Sequence, residues 1–233
     1  MMFPYAIIFS KASVMRLEIP DNNHIFVVSA PSGSGKTSLI RKALKELNSL
    51  KLSISHTTRH PRPDEIEGQD YYFVDKKTFR KMIEQNDFIE YALVYDKYYG
   101  TSKSYIENTL AQGHNVVMEI DWQGARQIRA CYDHTFSIFI LPPSLTTLRE
   151  RLEGRAQDTI EVIDARMKKA ISEAGHFNEY NYTIVNDDFE RASAEFIAVL
   201  AGRITPTEIT ASRKLLSRTI SAFNLSDEGT NNE

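Results

Sequence analysis

The chain has 233 residues, 42% of them hydrophobic and 25% charged, which is typical of a soluble globular protein with one main domain. Its net charge of -3 provides no general attraction to nucleic acids or anionic membranes, so neither is expected as a partner. The single cysteine, Cys131, excludes an internal disulfide and a cysteine-based metal cluster, fits a reducing cytoplasm as the expected location, and is interpreted as a small buried residue.

Residues 1–22 form an N-terminal extension with no assigned role. Its apolar stretch, residues 3–9, is too short to cross a bilayer, and no basic residue precedes it as a secretory signal requires. Met15 is an alternative start. The main domain is expected over residues 23–202. Residues 203–233 are expected to form a C-terminal extension, with one helix near Pro206–Phe223 and then a disordered polar tail.

Apolar runs and helical patterns alternate through the main domain. The apolar runs predict five buried strands: Ile25–Ser29, Leu52–Ser55, Asn115–Ile120, Ser137–Leu141 and Tyr182–Val185. Helical spacing predicts six helices: Thr37–Leu47, Ser102–Gln112, Trp122–Cys131, Ser144–Leu152, Asp158–Glu179 and Phe189–Ala201. Fully apolar strands alternating with helices favour an α/β fold, with a mostly parallel five-stranded core sheet covered by helices on both faces.

Residues 56–101 break this alternation. They are rich in Arg, Tyr, Pro and Asp, and they contain short predicted strands at Tyr71–Val74 and Phe88–Val94 and a predicted helix near Lys76–Asn86. We interpret this segment as a smaller β-rich subdomain inserted between strands of the main sheet.

A phosphate-binding loop is predicted where the first strand meets the first helix. Its glycines let successive backbone N–H groups turn inward, where they and the helix N-terminus hold phosphate oxygens. Lys36 is expected to reach the β and γ phosphates of a nucleoside triphosphate, and Thr37 or its neighbour to ligate Mg²⁺ directly. Ala30 stands where the pattern has glycine. The expected nucleotide-binding residues are Ala30, Pro31, Ser32, Gly33, Ser34, Gly35, Lys36 and Thr37.

Four further segments indicate which reaction the loop serves: SHTTRHPRPDEIEGQDYYF (55–73), FIEYALVYDKYYGT (88–101), EIDWQG (119–124) and IVNDD (184–188). Together with the loop, and in this order, they resemble the guanylate kinase family from about Ile25 to Ala201. The resemblance implies a P-loop kinase fold with a GMP-binding insertion over about 55–102 and a mobile helical lid over about 145–176. It also implies transfer of the γ-phosphoryl group of ATP to GMP with Mg²⁺ as cofactor, in purine nucleotide metabolism. Activity on dGMP and the oligomeric state stay open.

The resemblance also implies residue roles. Four residues match positions that hold the GMP phosphate: Arg59, Arg62, Tyr71 and Tyr99. Four match positions around guanine: Ser55, Glu90, Thr101 and Asp121. The candidate catalytic residues are Lys36, Arg59 and three matches to lid arginines, Arg151, Arg155 and Arg166. Asn186 lies where the family meets the adenine of ATP. Glu119 replaces the usual aspartate and is expected to act on Mg²⁺ through water, and Ala156 replaces a glycine expected after Arg155.

The chemistry of these residue types supports the same roles. Guanidinium groups are planar and permanently charged, which suits a phosphate dianion. The Glu90 carboxylate can accept both adjacent N–H donors of guanine, and it would be left unpaired by adenine. Two alternatives stay open. The first is another P-loop nucleoside monophosphate kinase, which the motif around Glu90 disfavours. The second is a catalytically inert guanylate-kinase-like domain that binds proteins, which the retained loop and arginines disfavour.

Overall fold

The structure is a computed structural model that describes residues 24–63, 65–94, 96–132, 135–154, 159–204 and 206–223. Several expectations therefore lie outside the described residues. They concern the N-terminal extension, Arg155, Ala156, the start of a helix at Asp158 and the tail beyond Phe223. Among the described residues, no helix is long and apolar enough to cross a membrane.

Within these residues the chain forms nine strands and eight α-helices. The strands are β1 Ile25–Ser29, β2 Leu50–Leu52, β3 Ser55–Thr57, β4 Tyr72–Phe73, β5 Phe88–Val94, β6 Lys97–Ser102, β7 Asn115–Glu119, β8 Thr135–Leu141 and β9 Tyr182–Val185. The helices are α1 Lys36–Glu46, α2 Lys76–Glu84, α3 Lys103–Ala111, α4 Trp122–Cys131, α5 Leu145–Glu153, α6 Ile160–Ala174, α7 Phe189–Leu200 and α8 Pro206–Phe223.

A parallel five-stranded sheet in the order β2-β7-β1-β8-β9 forms the core, which confirms the predicted α/β fold. In its register, Ile25 lies opposite Val116 and Val28 opposite Glu119. Every residue of β1 and of β8 is buried, so both faces of these strands are covered. Because parallel strands end at the same edge of a sheet, this register brings the carboxyl end of β7, at Glu119, beside the end of β1.

The chain divides into two compact units by its internal contacts. Among the described residues, the first unit contains Ala30–Leu47 and everything from Phe139 onward, and we call it the loop unit. The second unit contains the residues up to Ser29 and Asn48–Ile138, and we call it the insertion unit. The end of β1 is thus the point where the chain passes from the insertion unit into the loop unit.

The insertion unit contains a second sheet in the order β4-β3-β6-β5. Helix α2 packs on it through Phe79, whose ring stacks on Phe88 at 4.5 Å and on Tyr98 at 5.2 Å between centroids. At the outer edge of the sheet, the Gln127 side chain of α4 binds the main chain of Tyr91 on β5. Its Oε1 accepts the Tyr91 N–H at 3.1 Å, and its Nε2 donates to the Tyr91 carbonyl at 2.8 Å.

The predicted strand Leu52–Ser55 is wrong, because it spans two strands of different sheets. β2 ends at Leu52 in the main sheet, and β3 begins at Ser55 in the second sheet. The N–H of Ser53 still bonds the carbonyl of Val117 at 2.9 Å, so the chain leaves the main sheet only after Ser53. Apolar and polar residues alternate without a break from Leu52 to Ser55, so the local sequence does not show that the chain passes from one sheet to the other.

Other boundaries differ for identifiable reasons. The helix predicted to reach Glu179 ends at Ala174 with Gly175 as its C-cap, and a short 3₁₀ turn over Phe177–Glu179 follows. β6 was not predicted, since Gly100 interrupts its strand pattern; a Cβ there would meet Phe79 at 2.9 Å. Cys131 is exposed, not buried, and it is the last residue of α4, one turn beyond the buried Ile128.

Candidate active site

The predicted phosphate loop, residues 30–37, has the backbone of an anion site. Gly33 and Gly35 adopt φ of 93° and 87°, in the left-handed region that glycine enters without steric cost. Gly35 is the N-cap of α1 and offers no side-chain cap. A helix N-terminus that follows left-handed glycines in this way suits a phosphate, whose oxygens accept from backbone N–H groups.

Packing gives the same two glycines a second reason to lack a side chain. A Cβ on Gly33 would lie 2.9 Å from Leu148 Cδ1 and 3.1 Å from Leu152 Cδ2, both on α5. A Cβ on Gly35 would lie under 3.0 Å from Asn186 Nδ2. The loop is thus held closely by α5 on one side and by Asn186 on the other.

Asn186 joins three parts of the loop unit. Its side chain is 3% exposed and donates from Nδ2 to the Ser34 carbonyl at 2.7 Å. Its backbone N–H bonds the carbonyl of Leu141 at the end of β8, and its own carbonyl accepts from Arg151 Nη2 at 2.9 Å. This geometry commits the amide nitrogen to supporting the loop backbone, while the contact with adenine stays a prediction.

The two described lid arginines both reach the neighbourhood of the loop. Arg166, on α6, donates from Nη2 to the Ser32 hydroxyl at 2.9 Å. Burial lowers the pKa of Arg151, on α5, although the Asp187 charge opposes this shift. The helices α5 and α6 are joined by an apolar cluster of Leu148, Leu152, Ile163, Met167 and Ala170. The packed pair therefore carries both arginines, while its role as a lid stays a prediction.

Several buried polar atoms around the loop have no hydrogen-bond partner. Among the described residues they include Ser34 Oγ, Asn186 Oδ1 and Arg151 Nη1. A buried polar group without a hydrogen-bond partner makes the folded state less stable, and in native structures such groups commonly bind a ligand or water. Lys36 begins α1 and is half-buried, and Thr37 beside it is exposed.

In the insertion unit, Arg59 is held in place by Glu65. Its Nη2 donates to Glu65 Oε1 at 2.7 Å and to Oε2 at 2.9 Å, and its Nη1 donates to the His60 carbonyl at 2.7 Å. Burial alone would raise the pKa of Glu65, but the hydrogen bonds from Arg59 and from the Arg62 N–H lower it below its usual value. Glu65 therefore carries its negative charge and orients the guanidinium.

Tyr71 and Tyr99 lie beside Arg59. Their rings meet edge to face at 6.0 Å, and the Arg59 guanidinium lies 5.3 Å from the Tyr71 ring. Burial, followed by the charge of Glu119, raises the pKa of Tyr71 to about 12, so its hydroxyl keeps its proton and can donate. The Arg62 side chain is 68% exposed, and its Nη1 lies 4.0 Å from Glu65 Oε1.

Three of the four residues expected around guanine form one row across the second sheet. Ser55 on β3 lies opposite Thr101 on β6, and Thr101 lies opposite Glu90 on β5. The Thr101 hydroxyl donates to Glu90 Oε1 at 2.6 Å, and 3.1 Å separates the hydroxyls of Ser55 and Thr101. Because Thr101 has one proton and gives it to Glu90, Ser55 is the donor of the second bond. The two hydroxyls thus form a chain of hydrogen bonds that runs from Ser55 through Thr101 and ends at the Glu90 carboxylate.

A β-bulge sets this row. Phe88 lies opposite Ser102, yet Glu90 lies opposite Thr101, so one extra residue of β5 is accommodated between them. This shift places Glu90 on the buried face, where it is 3% exposed. Burial raises its pKa to about 7; the Thr101 hydrogen bond lowers it and the Asp121 charge raises it further.

Glu119 is the last residue of β7, and Asp121 follows two residues later as the N-cap of α4. Their surroundings differ. Asp121 caps α4, where its Oδ1 accepts the N–H groups of Gln123 and Gly124, both at 3.0 Å. Glu119 is half-buried and close enough to influence the pKa of Tyr71. Among the described residues, no group of three or more His, Cys, Asp and Glu could hold a metal ion, so the water-mediated Mg²⁺ role of Glu119 stays a prediction.

Two residues that support the candidate site were not predicted from the sequence. Glu65 fixes Arg59, and its only signal was an acidic group shortly after an arginine-rich loop. Gln127 fixes β5 to α4, and a polar residue on a helix gives no signal of such a contact. Both act through another residue, which local patterns do not reveal.

Comparisons with known proteins agree on one family. The family model described as guanylate kinase matches residues 22–202. The guanylate kinase of Pasteurella multocida is 55% identical over 188 residues, which are 79% of this chain and 90% of that protein. The guanylate kinase of Legionella pneumophila is 47% identical over 207 residues, which are 88% of this chain and 99% of that protein.

A solved structure gives the same result. The crystal structure of guanylate kinase from Anaplasma phagocytophilum superimposes with a TM-score of 0.66 at 32% identity, and it covers 89% of this chain and 99% of that chain.

Proposed function

Since the chain belongs to the guanylate kinase family, we propose that it is a guanylate kinase that transfers the γ-phosphoryl group of ATP to GMP, giving ADP and GDP. The observation that carries this proposal is the row Ser55, Thr101 and Glu90. It ends in a buried carboxylate with two acceptor oxygens, which match the adjacent N1–H and N2–H donors of guanine. Adenine offers no donor at N1 and would leave a buried acceptor unpaired.

The phosphate of GMP is proposed to bind at Arg59, Tyr71 and Tyr99, with Arg62 joining from its exposed position. The guanidinium of Arg59 is already oriented by Glu65, so little side-chain freedom remains to be lost on binding. The two tyrosine hydroxyls supply neutral donors, and Tyr71 stays protonated through the physiological range.

The phosphates of ATP are proposed to bind the phosphate loop. The left-handed glycines and the uncapped start of α1 supply backbone donors, and Lys36 supplies positive charge for the β and γ phosphates. Arg151 and Arg166 approach the loop from α5 and α6, where they can neutralise charge that develops on the transferred group. The α5–α6 pair is proposed as the lid that keeps water from accepting the phosphoryl group.

A divalent cation is proposed to bind together with ATP, because a single hydroxyl such as that of the exposed Thr37 is too little to hold Mg²⁺ alone. Thr37 would bind the ion directly and Glu119 through water. The ion would neutralise phosphate charge when it is bound with ATP.

The test is a coupled assay of ADP formation with GMP, dGMP, AMP, dTMP, UMP and CMP as acceptors. GMP is expected to give the highest kcat/KM. A higher value for another base would favour a different nucleoside monophosphate kinase. GMP binding by calorimetry without turnover on any acceptor would favour an inert binding domain.

A further inference from the structure

Gly124 lies directly against the carboxylate of Glu90. It is the third residue of α4, and a Cβ on it would lie under 3.0 Å from Glu90 Oε2 and 3.1 Å from Glu90 Cδ. Real Cβ atoms essentially never come as close to another atom as the first of these separations. A methyl group at position 124 and the Glu90 carboxylate therefore cannot both occupy their present places.

No other feature of the helix requires glycine at this position. Gly124 lies inside α4 and is not among the residues with positive φ, and alanine is the better helix former. Its N–H is bonded by Asp121, but any residue other than proline would supply that N–H. Its remaining close neighbour, Ile120 Cδ1, would lie 3.4 Å from a Cβ, which is an ordinary contact. Within the part of the chain that the structure describes, the Glu90 carboxylate is the one neighbour that excludes a side chain here.

Glu90 has little room to move away. Its side chain is 3% exposed, and its Oε1 accepts a 2.6 Å hydrogen bond from Thr101, which is fully buried. The next residue on β5, Tyr91, is bonded at both its N–H and its carbonyl by Gln127. Gln127 lies on α4, one helical turn after Gly124, so the helix and the strand are joined beside the contact. A methyl group would therefore displace the carboxylate and break its bond to Thr101.

We propose that Gly124 is a positioning residue for base recognition: its missing side chain determines where the Glu90 carboxylate stands, and so whether two acceptors face the base. The inference rests on the proposed function, because that function assigns Glu90 to guanine. The contact itself involves only two residues of the protein and can be tested without any substrate.

The first experiment is a double-mutant cycle on thermal stability with G124A, E90A and G124A/E90A, all without nucleotide. G124A is expected to lower Tm in the parent background. In the E90A background the carboxylate is gone and alanine favours the helix, so G124A is expected to raise Tm or leave it unchanged. A G124A protein that fails to fold while G124A/E90A folds supports the proposal equally. An equal decrease in both backgrounds, or a failure to fold in both, would overturn it.

Gly175 provides a matched control for the glycine-to-alanine change. It has an ordinary helical backbone, with φ of −59°, and the nearest atom to an added Cβ is the Ser172 carbonyl oxygen at 3.3 Å. G175A is expected to change Tm by the same amount with and without E90A. A background-dependent change at Gly175 would show that the cycle reports a general effect of E90A and would count against the proposal.

The second experiment measures kinetics at pH 8 for the parent chain and G124A. KM for GMP is expected to rise at least tenfold while KM for ATP and kcat at saturating GMP stay within about twofold, and the GMP/AMP ratio of kcat/KM is expected to fall. Equal losses for both nucleotides would reject a role in base recognition. If the parent chain does not phosphorylate GMP, the proposed function fails, whereas the Tm cycle still decides whether Gly124 positions Glu90.

Discussion

The two units bind their proposed ligands with different parts of the chain. In the loop unit the binding groups are mainly backbone N–H groups, exposed by the left-handed Gly33 and Gly35 and by the start of α1. In the insertion unit the proposed binding groups are side chains, and three of them, Ser55, Thr101 and Glu90, are buried on three different strands. Backbone groups recognise what all nucleoside triphosphates share, so the choice of substrate depends on the side chains of the insertion unit.

The largest expected effect comes from the one side chain in the loop that carries a full charge. Lys36→Met is expected to reduce turnover by about 10³-fold, because the amine neutralises phosphate charge. Circular dichroism and Tm should stay near the parent values, since Lys36 lies at the start of α1 and outside the buried core. GMP binding measured by calorimetry without ATP should not change. Turnover within tenfold of the parent would contradict the assignment of the loop.

Glu90→Gln is the matching change in the insertion unit. One amide oxygen is lost as an acceptor and an N–H₂ group faces a guanine donor, so about 1–3 kcal/mol is lost. This corresponds to a fall of about 5- to 150-fold in the GMP/AMP ratio of kcat/KM at pH 8. KM for ATP should not change. An unaltered ratio would mean that Glu90 does not read the base, and the contrast between the units would fail.

The pH dependence of ligand binding should also differ between the two units. Because burial raises the pKa of Glu90 to about 7, the acid form predominates below that pH, and only the ionised form accepts both guanine donors. GMP binding is therefore expected to be about tenfold weaker at pH 6 than at pH 8. The same raised pKa makes the folded state hold this proton more tightly than the unfolded chain. Its contribution to stability is present at low pH and is lost as the pH rises through about 7.

The phosphate of GMP itself titrates near pH 6, so E90Q is the control for this measurement. The difference between the parent and E90Q profiles reports Glu90 alone. Parallel profiles for the two proteins would show that the carboxylate does not control the pH dependence.

The smallest expected effect concerns Glu65, which acts through Arg59. Glu65→Gln keeps the shape of the side chain but removes its charge and one of its acceptors, so Arg59 is oriented less firmly. KM for GMP is expected to rise about two- to fivefold, as for a partly exposed ion pair, with KM for ATP unchanged. Tighter GMP binding would instead identify Glu65 as a competitor of the phosphate for Arg59.

The contrast between the units also explains what could be predicted from the sequence. The phosphate loop occupies consecutive residues, so its glycines, Lys36 and Thr37 can be recognised as a phosphate-binding pattern in the sequence alone. The row of Ser55, Thr101 and Glu90 depends on strand pairing and on a bulge after Phe88, neither of which leaves a local pattern. These residues were identified only through the resemblance to a family.

Asn186 has a supporting contact that the resemblance did not suggest. The family position suggested a contact with adenine, but residue identity alone gives no account of where the amide points. In the fold, Gly35 leaves space for Asn186 Nδ2, which reaches the Ser34 carbonyl across 152 positions of sequence. Such a long-range pair follows from the parallel sheet, which brings the ends of distant strands together.

The bond between Gln127 and Tyr91 has a consequence for solubility during expression and storage. β5 is an edge strand, with Tyr91 and Leu93 42% and 51% exposed, and exposed apolar edges invite pairing with a strand of another molecule. The Gln127 amide occupies the outward N–H and carbonyl of Tyr91, so an incoming strand finds these groups already bonded. An incoming strand would have to displace the Gln127 side chain before it could pair with β5 at Tyr91.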